Sequence, residues 1–314
     1  MSISVVIPTY NGADHLKDNL PYLIDILQNY KNEDIELILT DDHSTDDTIE
    51  VLKKTKESSN IPVTILESEK NGGFSVNVNK GVRKAKGEIV ILLGGDVRPE
   101  KDFLKPLMSH FTDEKVFAVG FLNQSDQDKG KNILRGRGIG TWKKGFLLHS
   151  HGEPVNNDTL WVDCGSGAFR KEIWDRIGGL QELYAPFYWE DVDISYRAQK
   201  MGYKVKIERK SLVVHEHEKG SIKKINKDFV LETAYRNQFF FVWLNITDRN
   251  LLFQHIIFLP YHLLVAIKTG NLLFIKGFLK ALGKLGKALS IRRKTTKDFV
   301  ISDNSILERF KKEI

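Results

Sequence analysis

The chain opens on a short apolar run that decides its fold, Ile3-Ser4-Val5-Val6-Ile7-Pro8. Most of these residues are β-branched and a proline ends the run, which predicts a strand buried on both faces, as in a parallel sheet. Outward from this strand, apolar runs alternate with patterns of helical spacing as far as residues 89–93. Such alternation implies βαβ units with right-handed crossovers, so the predicted fold class is α/β with a mostly parallel central sheet and flanking helices.

The individual elements follow from the same patterns. Strands are predicted at residues 35–39, 63–66 and 89–93, and helices at residues 46–56 and 74–86. Apolar residues also recur at helical spacing between Leu16 and Leu27, but Pro21 lies inside this pattern. A proline in a helix interior removes a hydrogen bond, so this helix should kink or split in two.

Composition restricts the class of protein. The 314 residues are 41% hydrophobic and 28% charged, an ordinary globular balance that excludes a disordered or fibrous chain. The single cysteine, Cys164, excludes an intramolecular disulfide and a thiolate zinc cluster, so we expect a reducing compartment. The first residues lack a basic segment and a small-residue cleavage site, so we expect no secretory signal.

Residues 226–314 differ in character from the rest of the chain. Aromatic and aliphatic runs dominate from Phe229 onward, which predicts a helical appendage. Residues 250–267 carry no formal charge, but Pro260 and polar residues interrupt the run. A packed or interfacial helix is therefore predicted there rather than a membrane span.

The excess positive charge lies in the same region. Residues 271–314 hold 11 Lys or Arg against 4 Asp or Glu, while the remainder is close to neutral. Leucines and lysines between residues 275 and 289 form an amphipathic basic helix, which favours a membrane surface over nucleic acid as the partner. The alternative is a helix that docks on the rest of the chain and leaves its lysines in solvent.

Polar motifs follow three of the predicted strands, at residues 9–11, 40–44 and 94–98. In open α/β sheets ligands bind beyond the carboxyl ends of the strands, so these motifs should form one cleft. The carboxylates of Asp41 and Asp42 suit the N–H of a base or a ribose hydroxyl. The alternative is that Asp42, with Ser44 and Asp46, forms a turn and caps the next helix.

Two further stretches have the chemistry of a site. Asn71-Gly72-Gly73 opens a helix, where backbone N–H groups and the helix dipole suit a diphosphate. In Tyr188-Trp189-Glu190-Asp191-Val192-Asp193, aromatic residues lie beside three carboxylates. Partial desolvation there raises the basicity of a carboxylate, so Asp191 is a candidate base, with a helix cap as the alternative.

Five ordered motifs combine into a resemblance, namely Ser4-Val5-Val6-Ile7-Pro8-Thr9-Tyr10-Asn11, Thr40-Asp41-Asp42-His43-Ser44-Thr45-Asp46, Asn71-Gly72-Gly73-Phe74, Gly165-Ser166-Gly167-Ala168 and Trp189-Glu190-Asp191. Together they resemble the family 2 glycosyltransferases with the GT-A fold, in the rhamnosyltransferase-like branch of bacterial surface-polysaccharide assembly. The resemblance covers residues 1–220. Several motifs in order are far more specific than any one of them, and they favour Asp191 as a base over a simple cap.

The resemblance implies a nucleotide-sugar donor, with Thr9, Tyr10 and Asp41 on its base and ribose. The full predicted donor site comprises Pro8, Thr9, Tyr10, Asn11, Asp41, Asp42, Asn71, Gly72, Gly73 and Asp96. Sugar or acceptor is expected to lie against Gly165, Ser166, Gly167 and Trp189, with Asp191 and the adjacent Glu190 as the catalytic carboxylates.

The resemblance also implies Mg²⁺ or Mn²⁺ on the diphosphate. The family's two-acid motif is changed here to Gly94-Gly95-Asp96-Val97, so Asp96 is its single remaining ligand. His215, at the end of a predicted strand, is expected to face the metal or diphosphate, whereas His217 is expected to be structural. The polar, glycine-rich residues 123–160 are predicted to form a phosphate-facing flap, with a mobile loop as the alternative.

The expected function is inverting hexosyl transfer from a UDP- or dTDP-sugar to a saccharide, lipid-linked and destined for surface polysaccharide. The expected location is cytoplasmic, peripheral on the inner face of the membrane, with no nucleic-acid partner. Residues 1–225 would form the catalytic domain and residues 226–314 the helical region. The alternative function, suggested by Gly94, is a catalytically silent nucleotide-sugar-binding or scaffold subunit.

Overall fold

The computed structural model describes residues 1–30, 34–125, 134–215 and 225–311. Its strands are β1 (Ile3–Thr9), β2 (Ile35–Asp41), β3 (Val63–Glu67), β4 (Ile89–Leu93), β5 (Val97–Pro99), β6 (Val116–Ser125), β7 (Leu134–Arg135), β8 (Arg137–Lys143), β9 (Phe146–Gly152), β10 (Ser166–Arg170) and β11 (Lys204–His215). Its α-helices are α1 (Ala13–Asn29), α2 (Thr48–Ser58), α3 (Phe74–Lys84), α4 (Leu104–Met108), α5 (Lys171–Ile177), α6 (Glu190–Lys200), α7 (Lys227–Asn245), α8 (Arg249–Lys268), α9 (Leu272–Leu282), α10 (Leu285–Thr295) and α11 (Asp303–Leu307).

The central sheet has the order β3-β2-β1-β4-β10-β6-β11-β5. Strands β1 to β4 are mutually parallel, whereas β10 is antiparallel to both of its neighbours. Every residue of β1 is buried, as its continuous apolar run predicts. Apolar cores cover both faces of the sheet, one beneath α1 and α2 and the other beneath α3, α5 and α6. The predicted α/β fold class is confirmed.

Helix α1 corrects one prediction. It runs without a break from Ala13 to Asn29 with Pro21 inside it. The ring of Pro21 is exposed, and Lys17, whose carbonyl loses its helical partner, is exposed as well. Because water can bond that carbonyl, the proline is accommodated without splitting the helix.

The region predicted to be a phosphate-facing flap or a mobile loop contains a β-hairpin. Strands β8 and β9 pair from Arg137 to Gly152. Its glycines allow close packing, since a Cβ on Gly138 would lie 2.2 Å from the Trp161 ring and one on Gly140 would lie 2.4 Å from Leu160. Within the described residues 134–152, the loop prediction is therefore wrong.

The C-terminal helices pack against this hairpin and α6. Phe239, Phe240 and Phe241 of α7 are fully buried in a core shared with β8, β9 and α6. The predicted helical appendage is confirmed, and its apolar runs are explained mainly by packing on the rest of the chain. The division at residues 225 and 226 stays a prediction.

Candidate active site

The loops that follow β1 and β2 are joined by polar contacts. The Asp41 carboxylate, 2% exposed, accepts hydrogen bonds from the Thr9 hydroxyl (3.2 Å) and the Ser44 N–H (2.8 Å). Asn11 bonds across the same junction, since its N–H donates to Ser44 Oγ (2.8 Å). Tyr10 is 42% exposed beside them. These strand ends meet as predicted, with Tyr10 as the accessible ring.

The Asp42 carboxylate holds the glycine turn at the start of α3. Its two carboxylate oxygens accept from the N–H groups of Gly72 (2.9 Å) and Gly73 (2.8 Å), and the next N–H, of Phe74, donates to Pro186 O (2.9 Å). The prediction that the amides of Gly72 and Gly73 face a diphosphate is therefore wrong in this structure. Asn71 remains exposed beside them.

The cap alternative for this loop holds in part. Asp46 Oδ1 accepts from the N–H of Thr48, the first residue of α2, and its Oδ2 accepts from Ala13 N–H at the start of α1. Asp46 thus ties two helix starts together. Asp42 is used differently, as the anchor of the glycine turn, which sequence spacing did not indicate.

The turn after β4 brings two predicted metal ligands together. Asp96 Oδ2 lies 3.2 Å from His215 Nε2. Burial acts to raise the pKa of Asp96, but the hydrogen bond and charge of His215 outweigh it and lower that pKa. His15, at the start of α1, adds a second positive influence on Asp96 that sequence reasoning missed. His217 lies outside the described residues.

A carboxylate oxygen and an imidazole nitrogen suit Mg²⁺ or Mn²⁺. The side chains of Asp96 and His215 remain 27% and 18% exposed, so a ligand has access to both. No group of three metal-ligating side chains occurs in the described parts of the chain. Two protein ligands completed by phosphate oxygens and water still fit such an ion.

The glycine at position 94 follows from this geometry. A Cβ there would lie 2.7 Å from Asp96 Oδ1. The N–H of Gly94 also donates to Gly165 O (2.8 Å). The turn thus places the Asp96 carboxylate where a larger residue at 94 would lie, so the missing acid does not remove the site.

Asp191 lies in the first turn of α6. The residue before that helix is Trp189, so Asp191 is not its N-cap, although its Oδ1 accepts from Val192 N–H (2.7 Å). Burial raises the pKa of Asp191 to about 7, helped by the charge of Asp163. Its neighbour Glu190 is 7% exposed, and its Oε2 has no hydrogen-bond partner among the described residues. Burial and the charge of Asp191 raise the pKa of Glu190 well above its ordinary value.

The segment from Asp163 to Gly165 bonds to the turn that carries Asp96. Asp163 Oδ1 accepts from Gly165 N–H (2.7 Å), and Gly165 O accepts from Gly94 N–H. The charge of Asp163 also acts on Asp191 and helps to raise its pKa. Asp163 is therefore a further acidic residue of the site, which the sequence motifs did not indicate.

The predicted sugar-lining residues divide by exposure. Ser166, in β10, is 1% exposed and pairs with Leu93 of β4. A Cβ on Gly167 would lie 2.4 Å from Val162, so neither residue faces an open cleft. Gly165 stays partly exposed at the start of that strand, while Trp189 is 8% exposed. The prediction for Ser166 and Gly167 is therefore wrong, because both are interior strand positions.

The hairpin supplies aromatic surface instead. The ring of His149 lies 4.7 Å from Trp189 and 5.0 Å from Trp161, both edge-to-face. His151, two residues along the same strand face, lies 5.7 Å from Trp161. Their spacing of two was the available signal, since alternate strand residues share a face. Both histidines keep exposed surface, and His149 contacts Trp189, two residues from Asp191.

Comparisons with known proteins give the family. Residues 4–178 match Glycosyl transferase family 2, so the chain belongs to that family. A poly(ribitol-phosphate) beta-glucosyltransferase of Bacillus spizizenii is 32% identical over 142 residues, which are 44% of this chain and 20% of that protein. The chain thus spans about a fifth of the length of that relative.

Solved structures agree on the fold. Staphylococcus aureus TarS 1-349 in complex with UDP-GlcNAc gives a TM-score of 0.59 at 17% identity, covering 99% of this chain and 92% of that one. The mannosyltransferase PcManGT from Pyrobaculum calidifontis, in complex with GDP-Man and Mn²⁺, gives a TM-score of 0.56 at 17% identity. The match covers 94% of this chain and 86% of that one. At such identity the likeness shows the GT-A fold alone. None of these three is named a rhamnosyltransferase, so they support the family and not that branch.

Proposed function

We propose that this member of glycosyl transferase family 2 transfers a sugar, with inversion, from a nucleotide diphosphate sugar to a hydroxyl of a saccharide acceptor. One observation carries the proposal: the half-buried Asp191 carboxyl, with its pKa raised to about 7, feels the charge of Asp163. Asp163 in turn bonds to Gly165, whose carbonyl accepts from Gly94 N–H in the turn that carries Asp96. A base and a place for a leaving diphosphate therefore lie on one cleft.

Asp191 acts as the general base. A carboxyl with a pKa near 7 is about half ionised at neutral pH, and its ionised form is basic enough to accept a proton in the transition state. Its Oδ1 is bonded to Val192 N–H, whereas Oδ2 has no hydrogen bond among the described residues and is available for the acceptor hydroxyl. Attack from the side opposite the leaving diphosphate inverts the anomeric carbon, because a single displacement has one inversion.

Glu190 acts on Asp191 as its immediate neighbour. Burial and the charge of Asp191 raise the pKa of Glu190 well above its usual range. Two adjacent carboxyls in one desolvated site do not both ionise readily, so the pair resists carrying two negative charges. Glu190 is not assigned a proton transfer of its own.

At the donor end, Tyr10 offers an accessible ring to the nucleotide, and Asp41 holds the loop that presents it. Asp96 and His215 would hold Mg²⁺ or Mn²⁺, which when bound neutralises charge on the diphosphate. The bound ligands of the structural neighbours, UDP-GlcNAc in one and GDP-Man with Mn²⁺ in the other, support a nucleotide-sugar donor.

On the acceptor side, His149 packs edge-to-face on Trp161 and Trp189, which are only 5% and 8% exposed, so the exposed His149 is the aromatic residue offered to a sugar ring. The name of the B. spizizenii relative, a poly(ribitol-phosphate) beta-glucosyltransferase, supports a polymeric acceptor. We propose UDP or dTDP as the nucleotide and a hexose as the sugar, with 6-deoxyhexoses such as rhamnose included because the sequence resembles that branch.

Replacement of the base tests the proposal directly. Asp191→Asn keeps the shape of the side chain and its hydrogen bond to Val192 N–H but removes the proton acceptor, so we expect turnover to fall by at least about 100-fold while donor affinity changes little. Transfer to saccharide acceptors is measured for a panel of UDP- and dTDP-sugars, with and without Mn²⁺, and donor affinity by calorimetry.

The matched control is Asp18→Asn, an exposed acid on α1 away from the cleft. It should match wild type in both assays. Asp191→Asn turnover equal to wild type would exclude Asp191 as the base. If wild type binds donor but transfers to no acceptor, the silent binding subunit is the better function.

A further inference from the structure

One side of α8 is apolar and exposed along its length. Six side chains at helical spacing are between 43% and 68% exposed, namely Phe253, Ile256, Ile257, Tyr261, Leu264 and Ile267. We call these six the apolar α8 face. Single exposed apolar residues are ordinary, but a continuous row of large ones marks an interaction surface.

The opposite side of α8 is fixed to the protein. His255 is 5% exposed, accepts from Trp243 Nε1 at its Nε2 (3.2 Å) and contacts Gly145 O through Nδ1 (2.8 Å). Gln254 Oε1 accepts from Trp142 Nε1 of the hairpin (3.1 Å). In the described part of the chain, α8 is the single helix long and apolar enough to cross a membrane. These contacts hold it side-on instead, with the apolar α8 face outward.

The surroundings of this face are positively charged. From Arg249 to Lys297 the sequence has ten Lys or Arg and no Asp or Glu. Three exposed lysines lie at the end of α8 and on α9, namely Lys268, Lys276 and Lys280. Lys280 forms an ion pair with Glu232 of α7. Exposed leucines continue the apolar surface onto α9 at Leu272 and Leu279.

A cavity of about 460 Å³ opens next to the apolar α8 face, between the hairpin tip and helices α7 to α9. Lys143, Lys144 and His262 line it together with Tyr261, which belongs to the face. Lys144 Nζ donates to Tyr261 OH (2.9 Å). Cationic donors at the border of an apolar surface suit phosphate head groups.

We propose that the apolar α8 face binds a bilayer that contains anionic phospholipids, with α8 lying in the plane of the interface and Lys143 and Lys144 on lipid phosphates. An apolar row beside basic side chains is the pattern of an interfacial helix. A second copy of the chain fits less well, because a two-fold interface would place this acid-free basic segment against itself.

The proposal goes beyond sugar transfer and does not depend on it. It also assigns the two ends of the β8–β9 hairpin to different surroundings. The tip at Lys143 and Lys144 lies by the apolar α8 face, while His149, further along β9, lies by Trp189. A membrane-bound chain would thus have the acceptor side of its cleft connected to the bilayer by one hairpin.

Vesicle flotation tests the proposal with the full chain and no sugar ligand. We expect wild type to float with phosphatidylcholine vesicles that contain phosphatidylglycerol and to bind pure phosphatidylcholine much less. The double variant Ile256→Asp with Leu264→Asp should lose at least about tenfold in binding, since two exposed aliphatic side chains that would enter the bilayer are replaced by charges. Val300→Asp, at a residue 74% exposed outside α8, is the matched control and should bind as wild type.

A second measurement covers the case in which the double variant misfolds. Leu264→Cys accepts an environment-sensitive fluorophore while the native Cys164 is buried, and its emission should shift to the blue with anionic vesicles. The same label at Val300→Cys should not respond. No flotation of wild type, unchanged flotation of the double variant, or a wild-type dimer that the double variant abolishes would each refute the membrane assignment.

Discussion

Glu190, Asp191 and Asp193 lie within one helical turn, yet their surroundings give them three different roles. Asp193 is fully buried and accepts from Arg197 Nε (2.7 Å) and Asn245 Nδ2 (2.7 Å), so it is a structural anion. Glu190 has no such partner and its pKa is raised well above the usual range. Asp191 lies between these cases, partly exposed and with a pKa of about 7.

The pKa of Asp191 sets a pH dependence for turnover. Because the base must be ionised, we expect kcat to rise about tenfold per pH unit below about pH 7 and to level off above it. Asp191 and Glu190 interact, so the measured midpoint belongs to the pair. A pH–rate profile at saturating donor measures it. A kcat that is flat between about pH 5 and 8 would contradict the assignment.

The pKa of Asp191 also predicts how the free energy of unfolding depends on pH. Its contribution falls as the pH rises, whereas kcat is expected to rise. The pKa of Asp191 is higher in the folded chain than the ordinary value of 3.8, so protonation favours the folded state. That contribution is complete below about pH 4 and is lost as the pH rises through about 7. Asp191→Asn should therefore be no less stable than wild type at pH values above about 7.

At the scale of elements, the start of α3 is set by one buried acid. Asp42 holds the N–H groups of Gly72 and Gly73, and Gly73, with φ +85°, approaches Pro186 so closely that a Cβ would lie 2.8 Å from its Cα. Since Pro186 belongs to the segment that leads into α6, this contact positions α6 relative to the loop that precedes α3.

Replacement of that acid tests the arrangement. Asp42→Ala leaves two amides without their charged acceptor, so we expect a loss of about 3 kcal/mol in the free energy of unfolding. Urea denaturation measures the loss. Asp18→Ala, at an exposed position of α1, is the control and should change stability by less than about 0.5 kcal/mol. Equal stability of Asp42→Ala and wild type would show that the amides find other partners.

At the scale of the whole molecule, a buried ion pair joins α6 to the C-terminal helices. Asp303 is fully buried and accepts from Lys200 Nζ (2.9 Å), Tyr196 OH (2.8 Å) and the N–H groups of Thr247 and Asp248 (both 2.7 Å). The helical region thus shares polar contacts as well as an apolar core with the helix that carries Asp191.

We therefore expect the two predicted regions to unfold together. Asp303→Ala leaves the Lys200 charge buried without its partner and should cost about 3–5 kcal/mol. Fluorescence and circular dichroism should report one coincident transition in wild type and in the variant. Asp298→Ala, at an exposed residue, should match wild type. Two separate transitions would instead support independent domains meeting near residues 225 and 226.

Some residues of the site were predicted from the sequence, some were missed and some were assigned the wrong role. Asp96 and His215 were expected near one ligand and lie 3.2 Å apart, because β5 begins at Val97, directly after Asp96, and pairs antiparallel with the end of β11 at His215. Asp163, His149 and His151 were missed because their motifs contain no chemistry by themselves. Gly72, Gly73, Ser166 and Gly167 were assigned to ligands, and the structure gives them hydrogen bonds or packing instead.

By itself, the sequence determined the alternation of strands and helices, because β-branched runs, helical spacing and glycine turns act through near neighbours. Only the tertiary structure decided which polar groups stay free and which side of α8 faces outward. These properties depend on residues that are distant in sequence. The N–H of Gly73 is occupied by Asp42, and the pKa of Asp191 is raised partly by Asp163. Desolvation and hydrogen-bond pairing are set by those partners, and local patterns do not record them.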